Sequence, residues 1–339
     1  MQRAINRICP HILLKFSECV EVNEIQFESV SKVKVRLKYL LGELVLGNWY
    51  PELLVLIPKR FEQEDWPSAP EVLAEMLGDE NDGVFCRKVP AENFKPGLRK
   101  YGSFLGYVPC RDVLYYVSVS GSFTEYLKKF STKSRQNLTR SVRRFAERQQ
   151  GLPSWEVYVD YETISEFYSE ALRISKQTYQ TKLLHAGLAD SEAFLEHMKN
   201  LARNGQARGY LLRDSGRAIA FAWCRQQGDR LIYDTVGYLP EFSNLSAGTV
   251  LLYHIIEDIF SSGNYKEIDF GPGEAQYKSM FSTHRKEFVD LYLLRDTVRH
   301  RILVSAHYYL LLVSGAIGRL LERYGVKKYV KAWIRRLKS

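Results

Sequence analysis

The residues best suited to chemistry cluster in 231–281, LIYDTVGYLPEFSNLSAGTVLLYHIIEDIFSSGNYKEIDFGPGEAQYKSMF. Ser246, Ala247, Gly248 and Thr249 stand at the start of a helix-period segment whose apolar positions are Leu251, Leu252, Ile255, Ile256, Ile259 and Phe260. A helix start offers unengaged backbone N–H groups and the positive end of the helix dipole, so an anionic ligand fits there. Read on its own, the same tetrad is a plain helix start with Ser246 as N-cap. Farther along, Asp269 ends a short strand, and Lys278 sits between Tyr277 and Ser279-Met280-Phe281. A second cationic group lies upstream in STKSRQNLTRSVRRF, where Leu138, Val142 and Phe145 recur at helical spacing. Lys133, Arg135, Arg140, Arg143, Arg144 and Arg148 occupy the other faces. Such a helix is either a wall for a phosphorylated ligand, since Arg grips phosphate through two donors, or a solvated surface helix.

The elements that must position these groups follow from the periodicity. Helical patterns cover 161–179 and 191–204. The period then becomes two over 207–212, 218–225 and 231–236, with polar turns between, which predicts an antiparallel meander. A strand at 267–270 runs into Gly271-Pro272-Gly273. This order is α+β, unlike the regular alternation of a doubly wound sheet. Residues 1 to about 120 read as mixed α and β, with apolar runs at 53–57 and 114–119 and a polar, aromatic segment at 63–70.

Composition limits the remaining choices. A chain of 339 residues with 45% hydrophobic content supports two domains. Its five cysteines are scattered, without a CxxC pair, so no disulfide framework, zinc site or other metal is expected. The apolar patch near the N-terminus is too short for a signal-peptide core, which points to the cytoplasmic side of the membrane. The net charge of +9 resides in 298–339, where ten Lys and Arg face the single acid Glu322. The rest is neutral overall, which argues against nucleic acid as a general partner.

In this order, the basic helix, the SAGTVLL loop and the IDFGPGEAQYKSMF strand and turn resemble the GNAT N-acyltransferase superfamily, in its CelD-type or Fem-like branch. The resemblance implies an α+β fold with a GNAT-like mixed sheet flanked by helices, in tandem GNAT-like domains followed by a C-terminal basic helical tail. A degenerate domain would occupy 1–155 and include the basic helix 131–150, the transferase domain 156–297, and the tail 298–339. It implies acyl-CoA, with acetyl-CoA the simplest case, as co-substrate bound at Ser246, Ala247, Gly248 and Thr249. The superfamily's basic loop position and first glycine fall on Ser243 and Ser246, so only Gly248 keeps the pattern. Lys278 matches a lysine beside the reacting acyl group, where an ammonium stabilises a developing oxyanion. Asp269 would accept a proton or orient Lys278, and Tyr277 or Tyr253 would protonate a departing thiolate. His284 and Arg285 would line the same cleft, and Lys133, Arg135, Arg140 and Arg144 would hold the acceptor. The implied activity is acyl transfer to an amine or hydroxyl of a sugar or cell-envelope precursor. The alternatives are a Fem-like transferase using aminoacyl-tRNA, and a non-catalytic, membrane-associated scaffold of exopolysaccharide synthesis.

The tail has two readings. Residues 302–318 hold 17 positions without Asp, Glu, Lys or Arg. Val326, Tyr329, Val330, Trp333, Ile334 and Leu337 then form an apolar stripe beside Lys327, Lys328, Lys331 and Arg335. That pattern suits peripheral contact with an anionic membrane, and equally a helical hairpin packed on its own domain.

Overall fold

The computed structural model describes residues 20–22, 25–42, 44–58, 81–149, 154–178 and 187–324. Their order is β1 (Val20–Val22), β2 (Ile25–Lys34), β3 (Leu37–Leu41), β4 (Leu44–Trp49), β5 (Glu52–Pro58), β6 (Gly83–Pro90), β7 (Gly97–Tyr101), β8 (Phe104–Val108), β9 (Arg111–Ser118), α1 (Phe123–Leu127), α2 (Thr132–Arg148), β10 (Trp155–Tyr158), α3 (Ile164–Gln177), α4 (Glu192–Arg203), β11 (Ala207–Asp214), β12 (Arg217–Gln227), β13 (Arg230–Tyr238), α5 (Ala247–Ser262), β14 (Glu267–Pro272), α6 (Gln276–Phe281), β15 (His284–Arg295) and α7 (Val298–Arg323). The chain divides into two compact units. One holds 1–114, 272–274 and 286–339, the other 115–271 and 275–285.

In the first unit the described residues before β9 are strands and one short 3-10 turn. The expected mixture with α-helix is not seen among the described residues of this region, and the aromatic segment 63–70 lies outside them. β2, β5, β6 and β15 pair in that order, with β8 beside the end of β15. Alternation along the strands splits the core between two faces. Val84, Cys86, Leu291 and Leu293 pack on one side, and Phe85, Tyr107, Tyr292 and Leu294 on the other. The second face is covered by the separate β3–β4 hairpin and by α7, which buries His300, Val304 and His307. His307 accepts from the Tyr107 hydroxyl at Nδ1 (2.5 Å) and donates from Nε2 to the Lys38 carbonyl (3.1 Å), which fixes its tautomer. Burial depresses its pKa to about 4, so the ring is neutral at physiological pH. The C-terminal helix is thus present as one element to Arg323, and the striped segment 326–337 lies outside the described residues.

The second unit is α+β, a mixed sheet flanked by helices. The expected meander forms β11, β12 and β13, all antiparallel, and β14 joins β13 in parallel. The two predicted helices are α3 and α4; Ser191 caps α4 by accepting the Phe194 N–H at 3.3 Å. α5 buries Val250, Leu251, Leu252, Ile255, Ile256 and Ile259, and packs against β11, β12 and β13. A helix apolar on so many sides must be enclosed, which fixes where its first turn emerges.

The pairing of β13 with β14 sets the shape of this unit. It comprises only Arg230 with Glu267, Leu231 with Ile268, and Ile232 with Asp269. At the first pair the Arg230 guanidinium meets the Glu267 carboxylate at 3.0 Å, with 2% and 8% of each residue exposed. Separating a buried ion pair by removing one partner is costly, because the other charge stays desolvated. Glu267→Ala is therefore expected to lower unfolding free energy by about 3–5 kcal/mol, read from the urea midpoint. A loss typical of an exposed ion pair, below about 1 kcal/mol, would contradict the clamp.

Candidate functional site

Beyond Ile232 the two parallel strands separate, and the cause is visible one position past Tyr233. In the register with β12, Trp223 faces Thr235 and Cys224 faces Tyr233, so Asp234 is an extra residue, a β-bulge. A bulge bends its strand and increases its twist. Here it turns β13 away from β14 just after the last shared pair. From 233 to 238, β13 keeps β12 on one edge and has no strand on the other among the described residues. Exposure rises along this stretch, from buried Tyr233 to Tyr238 at 43%. The result is an opening with a free strand edge, whose alternate N–H and C=O groups await partners.

At its mouth β13 passes through a 3-10 turn, Pro240–Leu245, into α5. Ser246 joins the two with φ 54° and ψ 36°, the left-handed region, which costs a non-glycine residue roughly 1–2 kcal/mol. Its hydroxyl makes no capping hydrogen bond, so the plain N-cap reading fails. Its carbonyl instead accepts from Thr249 N–H at 2.8 Å and Val250 N–H at 3.0 Å. Thr249 therefore offers no backbone donor, contrary to expectation, because its N–H closes the first helical turn. Ala247 is fully buried and serves packing. Gly248 remains, half-buried, with no backbone acceptor for its N–H; a Cβ there would touch the Tyr238 ring at 3.4 Å.

The other wall carries Asp269, Lys278 and Tyr277. Asp269 is fully buried, and its Oδ1 accepts the Gly271 N–H at 2.7 Å. Lys278 is 9% exposed, and its Nζ donates to the Gly271 carbonyl at 3.1 Å. The two side chains thus clasp opposite sides of one residue, whose φ of +72° suits glycine. Tyr277 packs edge-on against Phe270 (6.0 Å) and Tyr233 (6.1 Å), so it bridges the two strands where they part. Burial pushes its phenol up to about 12, so the hydroxyl keeps its proton at neutral pH and can serve as an acid. Tyr253 packs against Phe123 at 5.0 Å, and His284 stacks on Tyr116 at 5.0 Å.

The segment before the basic helix holds α6 in place, a role not evident in the sequence. Tyr126 donates to the Phe281 carbonyl at 2.7 Å, and Phe130 meets the Phe281 ring at 5.7 Å. Lys129 donates to the Ser282 carbonyl, its ammonium over the Tyr126 and Phe130 rings. Tyr126 and Phe130 lie at i and i+4, the one signal that could have marked them as an anchoring face. α2 itself buries Leu138 and Phe145 and packs on α5. Arg148 is taken up by a two-pronged ion pair with Asp214 (2.7 and 3.0 Å), and Arg143 lies 3.4 Å from Glu147. Lys133, Arg135, Arg140 and Arg144 have no acidic partner among the described residues; Arg140 touches only the Asn137 amide oxygen at 3.3 Å.

This architecture has a known counterpart. Residues 132–279 match the model of the Acetyltransferase (GNAT) domain family. This segment, a little under half of the chain, is similar to a GNAT acetyltransferase domain. That segment contains every residue of the opening, the basic helix and Lys278. Among solved structures, FemX matches with 12% identity over 81% of this chain and 91% of its own, at a TM-score of 0.51, a likeness of fold. L-PGS from Bacillus licheniformis aligns at 14% identity over 86% and 88%, with a TM-score of 0.43. A comparison with curated proteins finds no match.

An added Cβ at Gly271 would meet no atom within 4 Å, so Gly271→Ala isolates the backbone effect. It is expected to cost about 1–2 kcal/mol, measured by chemical denaturation. Full retention of stability would show that the left-handed turn between Asp269 and Lys278 is not required.

Proposed function

We propose that this GNAT-fold transferase moves an acyl group from acyl-CoA to an amine or hydroxyl of a phosphorylated sugar or cell-envelope precursor. The observation that carries the reading is the free edge of β13 opposite β14, opening at Gly248. An extended chain bearing amide groups pairs with such an edge as an added strand does, and the pantetheine arm of coenzyme A is a chain of that kind. Its pyrophosphate would meet the Gly248 N–H and the helix dipole of α5, with the exposed Ser243 and Ser246 hydroxyls nearby. Serines at these positions give hydrogen bonds without charge, so a weaker grip on the phosphates is expected than a basic loop would give.

The residues present fit a direct transfer. The bound donor supplies an activated thioester. Lys278, anchored on the Gly271 carbonyl, supplies positive charge for the oxyanion that forms when the acceptor nucleophile attacks. Asp269 holds the same turn from its N–H side and so positions Lys278 through Gly271. The acceptor's proton is lost to solvent as the adduct forms, and Tyr277, protonated at neutral pH and lodged where β13 and β14 part, would give a proton to the departing thiolate and regain one from solvent. Lys133, Arg135, Arg140 and Arg144, without an acidic partner among the described residues, provide cations for a phosphate on the acceptor. The choice of a sugar or envelope precursor rests on the Fem-like resemblance, and the phosphate on these four side chains.

Calorimetric titration with acetyl-CoA tests the donor. Binding by the wild type, its loss in Gly248→Trp, and its retention in Lys278→Ala with turnover reduced about 100-fold or more are the expected results. No heat with acetyl-CoA, but binding of aminoacyl-tRNA, would replace this donor with the alternative one. Undiminished turnover in Lys278→Ala would remove that lysine from the mechanism.

A further inference from the structure

The first unit bears an apolar surface that the transfer chemistry does not use. Leu44, Val45 and Leu46 of β4 are 37%, 48% and 59% exposed, three consecutive large apolar residues at a hairpin tip. Along α7, Ile302, Tyr309, Leu312, Val313, Ile317 and Leu320 are 41–63% exposed. The two elements are joined. Tyr39 donates to the Leu303 carbonyl at 3.0 Å, His307 to that of Lys38, and Gly42 N–H to the Ser314 hydroxyl at 2.8 Å. The hairpin therefore runs beside α7 as far as Ser314. A groove of about 640 Å³ lies between them, lined by Tyr39, Trp49, Val298, Ile302 and Leu303, with Arg299 also in its wall. Large exposed apolar side chains gathered on two elements bonded to each other are a feature of interaction sites.

Charge identifies what it meets. The 17 residues 302–318 carry no Asp, Glu, Lys or Arg, and their one deeply placed histidine, His307, is held neutral. Arg299 and Arg301 precede this stretch, and Arg319 and Arg323 follow it. The chain after α7 adds Lys327, Lys328, Lys331, Arg335, Arg336 and Lys338 without an acid. Apolar side chains beside a predominantly cationic flank, in which Glu322 is the one acid and Arg301 is paired with Asp296, match the interface of an anionic bilayer. A second copy would bring the same excess of positive charge, which repels. α7 is long and apolar enough to span a membrane, yet one of its faces is bonded to β3 and buries His300, Val304 and His307. That arrangement suits a helix lying on the surface and not one crossing it.

We propose that the β3–β4 hairpin tip and the exposed face of α7 form one docking surface for anionic phospholipid membranes, reinforced by the cationic residues after α7. The hairpin distinguishes this from attachment by the charged tail alone. The full chain is floated with vesicles of phosphatidylcholine and phosphatidylglycerol, and with phosphatidylcholine alone. A Leu44→Ser, Val45→Ser, Leu46→Ser variant keeps every Lys and Arg. It is expected to bind the anionic vesicles roughly tenfold more weakly, or less, with an unchanged melting temperature. Leu46→Trp is expected to shift its fluorescence to the blue on anionic vesicles. Equal binding by wild type and the triple variant overturns the proposal, as does a wild type that floats with neither vesicle. So does a vesicle-free dimer that the triple variant splits, which would assign the surface to a second copy. None of these readouts depends on which acyl donor the second unit takes.

Discussion

Three residue pairs hold β13 to β14, and the bulge at Asp234 prevents a fourth. Parallel strands that kept pairing would leave nowhere for a ligand, since each backbone donor and acceptor would be consumed in the ladder. Strands that never paired would leave the wall carrying Lys278 without a fixed position. The buried Arg230–Glu267 pair at the closed end and Tyr277 packed between Tyr233 and Phe270 at the fork define where pairing ends. Pairing and divergence are thus separate devices, one built of charge and register, the other of a single inserted residue.

One of the three non-glycine residues with a left-handed backbone among the described residues sits at the same opening. Ser246 adopts a left-handed conformation without a glycine's tolerance and without a side-chain cap in return. The surroundings over-determine it. On one side α5 is enclosed by its apolar residues; on the other, Leu239 is fully buried and its N–H donates to Ile219 at 2.8 Å. Between these two anchors the chain has only a short 3-10 turn, and Ser246 absorbs the change of direction. A cost of one to two kcal/mol is small against burial of six aliphatic side chains on α5, each worth about 1.5–3 kcal/mol. The opposite wall solves its turn with Gly271, where no such cost arises.

Much of this architecture was legible in the sequence because it rests on periodicity. The meander, helices α3 and α4, the apolar α5 and the cationic faces of α2 all follow from spacing alone. The deciding features do not. A bulge adds one residue to an alternating strand and leaves no composition signal, so Asp234 reads as an ordinary polar position. The left-handed Ser246 is hidden because serine commonly caps helices, and Thr249 looks like a free donor because the first N–H groups of a helix ordinarily lack intrahelical partners. The division of the basic residues, with Arg148 and Arg143 engaged and Lys133, Arg135, Arg140 and Arg144 left over, depends on Asp214 and on Glu147. Asp214 is distant in sequence, so no local pattern announces its pairing. Likewise the β3–β4 hairpin beside α7 is distant in sequence from the tail, so the tail's own pattern does not announce it.

Amide hydrogen exchange, followed with and without coenzyme A, tests the central claim most directly. The opening between β13 and β14 predicts slowed exchange on ligand addition at alternate amides of 233–238 and at Gly248, with little change along the β11–β12 ladder, already paired. Protection confined to other segments, with 233–238 and Gly248 exchanging as before, would contradict the assignment of this strand edge to the acyl donor.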